Sequence, residues 1–196
     1  MAKYQEALVF TTSERCIRLT SLPRLLAACL LLWLGLGQNA FSQPPVGNWP
    51  TWSASTSEGR EFHSKSLEGK VVVVSVWASW CSASRKQIPL LSQLQRAHQP
   101  SELQVVSFSL DHTEDRHDTF LEPLDVSFPA IFARSGRGLT AVKLLQDQAG
   151  ALEAVPTLLV FNRKGQLVHR SVGYSSLHKL EDLVDPLLSG ASADSR

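Results

Sequence analysis

The sequence predicts a single α/β domain, and three observations carry that prediction. The apolar run Val71 to Val76 reads as a buried strand, and after Cys81 the apolar residues change to helical spacing at Ile88, Leu91 and Leu94. Thr157 to Phe161 and Leu167 to Val172, joined by Asn162-Arg-Lys-Gly165, read as an antiparallel hairpin. At 196 residues the chain is long enough for one domain with a proper core and too short for two ordinary ones.

Taken in order, the chain opens with Arg15, Arg18 and Arg24 ahead of an apolar run from Leu25 to Gly37, followed by the small-residue site Ala40-Phe-Ser42. That is the layout of a secretory signal peptide over residues 1–42, cleaved after Ser42. The 13-residue run falls below the roughly 17–25 residues that span a bilayer, so an uncleaved membrane anchor is the second choice. Leu26-Ala-Ala-Cys29 also fits a bacterial lipobox, although the apolar core would lie on the wrong side of the cysteine. The chain is therefore expected to be exported, either periplasmic or attached to the outer face of the inner membrane, with membrane contact only through this segment.

Residues 43–50, with Pro44, Pro45, Gly47 and Pro50, read as a linker, and the folded domain is expected over 51–190 with a flexible tail at 191–196. Trp52 to Ser55 and Arg60 to His63 flank Ser57-Glu-Gly59 and read as a hairpin. The helix after Cys81 should run to about His98 despite Pro89, which removes one hydrogen bond and displaces a carbonyl. Leu103 to Leu110 alternates apolar and polar residues like a strand, Asp111 to Asp118 reads as a polar loop, and Thr119 to Leu124 as a short helix. Leu139 to Leu145 and Ala149 to Ala154 suggest two further helical pieces. Ser176 caps a last helix with the apolar face Leu177, Leu180, Leu183, Val184 and Leu187.

Charge excludes one class of partner. Four basic and two acidic side chains fall in residues 1–42, leaving 15 basic against 16 acidic for residues 43–196, so nucleic-acid binding has no electrostatic support. The chain has three cysteines; Cys16 and Cys29 lie in the leader, and Cys81 alone remains in the domain. A lone cysteine in an oxidising compartment has no mate in its own chain and must be protected, kept reduced by a partner, or used in mixed disulfides.

Cys81 sits where a strand feeds a helix, and the unpaired N–H groups of a helix's first turn favour a thiolate. It is read as exposed and reactive, with Arg85 and Lys86 adding positive potential. Ser84, three residues on, can donate a hydrogen bond to that thiolate but cannot form a disulfide with it. Of the nearby tryptophans, Trp77 is assigned to core packing and Trp80 to the rim of the site. Asp111, His112, Glu114, Asp115, His117 and Asp118 form the one candidate metal cluster; a solvated loop is the preferred reading, so neither a metal nor any other cofactor is expected.

Trp77-Ala-Ser-Trp-Cys-Ser-Ala-Ser84 resembles the W-A-x-W-C-x-x-C active site of thioredoxin-like proteins, in particular their TlpA/ResA-like branch, and Val155-Pro156-Thr157 resembles the second landmark of that family. The resemblance covers roughly Trp49 to Leu188. It implies a thioredoxin-like α/β three-layer sandwich, a mixed central sheet between helices, with an N-terminal β-hairpin and an insertion before Pro156. It further implies a cis Pro156 lying against Cys81, with Trp80, Val155 and Pro156 contacting an extended substrate that adds as a short strand. Two departures stand out: Ser84 replaces the second cysteine, and Gln87 stands where the family carries an acidic residue that serves that cysteine. A peroxidase reading lacks the hydroxyl residue three positions before the cysteine, where Ala78 stands.

The expected function is monothiol thiol:disulfide exchange through Cys81 and Ser84. Its partners would be thiol- or disulfide-containing proteins and an external reductant or glutathione-like thiol, and the protein is expected to be a monomer. A binding or chaperone-like module that lost redox turnover is the alternative from another class, and handling of a metal or haem precursor by the single thiolate is a third.

Overall fold

The computed structural model describes residues 49–152 and 154–190; the expected signal segment, most of the linker and the tail at 191–196 lie outside the described residues. Strands β1 (Ser53–Ser55) and β2 (Glu61–His63) pair antiparallel as the small N-terminal hairpin. Then follow β3 (Val71–Trp77), α1 (Ser82–Ala97), β4 (Leu103–Ser109), α2 (Glu114–Leu121), β5 (Ala130–Phe132), α3 (Gly136–Ala149), β6 (Thr157–Phe161), β7 (Leu167–Val172) and α4 (Leu177–Leu188).

The main sheet has the order β5-β4-β3-β6-β7, with β3, β4 and β5 parallel and β6 and β7 antiparallel to their neighbours. This is the thioredoxin-like α/β fold, with β3 at the centre of a mixed sheet. Every residue of β3 and β4 is buried, because helices cover both faces, and strands covered twice read as continuous apolar runs. On one face Val71, Val73 and Trp77 pack on Ile88, Leu91 and Leu94 of α1 and on Leu180 and Val184 of α4. On the other, Val72, Val74 and Val76 pack with Ala141, Val142 and Leu145 of α3 and with Trp49 and Trp52.

Four expectations change. Trp49, expected in the linker, is buried with its ring centroid 4.5 Å from that of Phe161, so the packed domain includes it. The stretch expected as a loop to Asp118 becomes helical from Glu114, because the Thr113 hydroxyl accepts from the Arg116 N–H and two acidic residues occupy the first turn. The two helical pieces expected between 139 and 154 are one helix, α3. It starts three residues early because Ser135 caps it, and it stops at Ala149 because Gly150 adopts a left-handed φ of 77°. Gly138 is required there: a Cβ at that position would lie 2.2 Å from the Phe132 carbonyl oxygen. The alternation in β4 does not separate solvent from core, since its serines are buried with its apolar residues.

Candidate active site

The central strand delivers Trp77 to the carboxyl edge of the sheet, and the chain turns there into α1. Cys81 is the N-cap of α1, with extended backbone at φ −92° and ψ 116°, and its carbonyl accepts from the Arg85 N–H at 3.0 Å. A side chain at that position faces the free N–H groups of the first helical turn. The thiol closes no capping hydrogen bond of its own, but the backbone N–H groups of Ala83 and Ser84 and the Ser84 hydroxyl favour the anion. Burial of the sulfur is the largest single influence and opposes ionisation; the three hydrogen-bond donors together outweigh it and leave the thiol pKa below the ordinary cysteine value.

Cys81 is half-buried, not walled off. Its Sγ donates to the Val155 carbonyl oxygen at 3.5 Å, and the Val155–Pro156 bond is cis. That carbonyl stabilises the protonated form, whereas Ser84 stabilises the anion, so ionisation exchanges one partner for the other. Ser84 is fully buried, and its Oγ also receives the Ala78 N–H at 3.5 Å. The structure therefore gathers Cys81, Ser84, Val155 and Pro156 at one corner. Trp80 stands at the rim, 56% exposed, while Trp77 is wholly buried.

Gln87 lies one turn deeper on α1, fully buried; its Oε1 accepts from the Ser175 N–H at 3.4 Å and its Nε2 has no partner. An amide cannot take up a proton in the neutral range, so this position does not serve as a base.

Asp111 is the residue whose part the sequence did not disclose. Fully buried, it receives the Ser79 N–H at 3.0 Å on Oδ1 and 3.1 Å on Oδ2, the Ser79 hydroxyl at 2.8 Å and the Ser109 hydroxyl at 2.6 Å. The end of β4 is thereby tied to the turn that presents Trp80 and Cys81. A polar residue two positions past the strand, on the same edge as the cysteine, was the available signal. The rest of that stretch divides. His117 is buried with Nδ1 3.0 Å from Asp118 Oδ1, and burial, the dominant influence, holds its pKa below the ordinary histidine value against the attraction of Asp118, Asp111 and Glu114. His112, Glu114 and Asp115 are exposed. Among the described residues no group of three or more His, Cys, Asp or Glu is arranged to hold a metal ion.

The AhpC/TSA family model matches residues 47–170, which takes in the N-terminal hairpin, the cysteine corner and the Val155-Pro156 segment. The chain belongs to the AhpC/TSA family. Among its relatives, the thiol-disulfide oxidoreductase ResA of Bacillus cereus is 22% identical over 132 residues, 67% of this chain and 72% of that protein. Solved structures share the fold, among them the two that follow. A thiol:disulfide interchange protein of the thioredoxin family from Chlorobium tepidum superposes with a TM-score of 0.65 at 22% identity, covering 72% of this chain and 95% of its own. The exposed lipoprotein thioredoxin of Streptococcus pneumoniae superposes with a TM-score of 0.58 at 19% identity, covering 70% and 100%. Among the described residues no helix is long and apolar enough to cross a membrane.

Proposed function

We propose that this protein is an exported thiol-disulfide oxidoreductase that works with one thiol. The observation that carries this is the placement of Cys81 as a half-buried N-cap with a depressed pKa, beside a buried serine at the position of a second thiol. The Cys81 thiolate attacks one sulfur of a substrate disulfide, forming a new S–S bond while the other sulfur departs as a thiolate. Val155 and Pro156 wall the sulfur on one side and Trp80 rims it, the surfaces against which an extended substrate docks. With Ser84 in place of a resolving thiol, an external thiol must discharge the mixed disulfide, because the intramolecular attack open to a dithiol is missing. Export rests on the layout of residues 1–42, and the relatives named above are consistent with redox work.

The test is to follow alkylation of Cys81 against pH and turnover of a glutathione mixed disulfide by the purified protein. The expected result is a midpoint below the ordinary cysteine value and turnover that Cys81→Ser abolishes. A midpoint at the ordinary value with no turnover overturns the reading, and if Cys81→Ala still captures protein partners, the binding-module alternative takes its place. Under the redox reading, Ser84→Cys should add dithiol reductase activity.

A further inference from the structure

The mechanism leaves unused a cleft of about 590 Å³ on the α2 side of the active-site turn. Its lining includes Ser79 and Trp80, the two residues before the nucleophile, together with Arg85, Asp115, Arg116 and Phe120. Arg85 lies one helical turn beyond Cys81, and its guanidinium rests 5.1 Å from the centroid of the Phe120 ring, which holds the charge at the cleft. The arginine ion pairs among the described residues are those of Arg60, Arg96 and Arg137, so Arg85 and Arg116 keep their donors free. Asp115 is the one acidic lining residue. An adjoining depression of the same volume, about 590 Å³, which shares Asp115 with the cleft, has the opposite character, with Glu58, Asp118, Glu122 and Asp125 around it and no basic residue in its lining. Of the two, the cysteine's side is the one that offers an anion favourable charge.

We propose that the arginine cleft holds the carboxylates of a low-molecular-weight thiol, and that this protein prefers mixed disulfides in which the small partner is such an anion. This rests on the monothiol reading and names its substrate class. Two free guanidinium groups match two carboxylates, and the exposed Trp80 indole offers a face for a peptide-sized body. In the reaction the Cys81 thiolate attacks the small thiol's sulfur in a protein–S–S–R disulfide. The Sγ–S bond to R forms, the bond to the protein sulfur breaks, and that sulfur leaves as a thiolate that takes a proton from water. A second R–SH, as its thiolate, attacks the sulfur of R on Cys81; R–S–S–R leaves and Cys81 is again a thiolate. The protein sulfur is thereby reduced by the added R–SH, which is oxidised into R–S–S–R, while the sulfur of the R group already bound stays at the disulfide level throughout.

The experiment has a reactive and a non-reactive arm, both on the purified protein. Mass spectrometry follows Cys81 mixed-disulfide formation with oxidised glutathione, neutral hydroxyethyl disulfide and cationic cystamine, each rate divided by that of a free model thiol. The normalised rate should be about tenfold higher for glutathione than for the neutral probe, lowest for cystamine, and the preference should vanish in the Arg85→Gln/Arg116→Gln double variant and shrink with added salt. Equal normalised rates, or a preference that survives the double variant, overturn the proposal. Calorimetry with S-methylglutathione, which cannot exchange, should show binding that the double variant weakens about tenfold; absence of that binding also overturns it. If Cys81 reacts with none of the three disulfides while S-methylglutathione binds through the arginines, the monothiol reading falls and the cleft assignment stands.

Discussion

Two stretches of this chain advertise chemistry: the cysteine corner, Ala78 to Gln87, and the acidic and histidine-rich stretch, Asp111 to Asp118. They lie at the carboxyl ends of adjacent parallel strands, β3 and β4, yet the fold uses them in opposite ways. At the corner the reactive atom is partly open to solvent and its supporting hydroxyl is buried. In the second stretch the two groups with the most chemistry to offer, Asp111 and His117, are the ones driven inside. The comparison teaches that one strand end presents a nucleophile and its neighbour braces the turn that presents it. Asp111 makes the link, because a carboxylate at this depth is tolerated only where donors surround it, and Ser79 and Ser109 supply them.

The sharpest way to break that contrast is Asp111→Ala. It strands the Ser79 N–H and both serine hydroxyls, and the expected loss is about 3 kcal/mol of unfolding free energy together with slower alkylation of Cys81. Denaturant unfolding and a thiol-labelling time course read the two effects. A variant as stable and as reactive as the parent would show that the brace is unnecessary.

Ser84→Ala comes next in size. Losing the hydroxyl that favours the thiolate raises the Cys81 pKa toward the ordinary value, so alkylation near neutral pH should slow by about fivefold, the factor carried by roughly 1 kcal/mol of hydrogen bond. The sign gives a pH signature. The deficit is full at low and neutral pH, where little thiolate exists in the variant, and closes once both proteins are ionised at alkaline pH. A uniform deficit at every pH would instead point to disturbed packing.

The smallest expected effect belongs to His117→Phe, which keeps an aromatic ring near Trp77 and Phe132, 5.7 and 6.2 Å from the present imidazole centroid. In the parent the folded state holds this imidazole neutral, chiefly by burial, so the unfolded chain takes up the proton first as pH falls through about 6.5. Stability attached to this group is therefore complete above that value and declines below it until the folded pKa is reached. The phenylalanine variant should melt within about 1 kcal/mol of the parent at neutral pH and lose less stability on acidification. An unchanged acid slope would remove His117 from the account.

The legible part of the fold was the part with short-range causes. Val71 to Val76 ahead of helical spacing, the turn Asn162 to Gly165, and the Ser176 cap each act through residues a few positions apart, and β3, α1, the β6–β7 hairpin and α4 lie where the pattern places them. The start of α2 carried a local signal as well, Thr113 before Glu114 and Asp115, but its polarity made it read as loop. The cysteine corner was legible because a strand-to-helix turn gives a thiol its environment locally. Asp111 and the arginine cleft were not, since each joins side chains more than twenty positions apart, as Asp111 does with Ser79 and Arg85 with Phe120.

By itself, then, the sequence determined the central strand and the helix after it, the closing hairpin and last helix, the single thiol, and the serine and glutamine that stand beside it. Tertiary structure alone decided which polar groups would be buried, that Trp49 belongs to the core, and that the two adjoining depressions at α2 carry opposite charge. The reason is physical: periodicity and capping report interactions within one element, whereas burial and electrostatic fields arise from elements brought together across the chain.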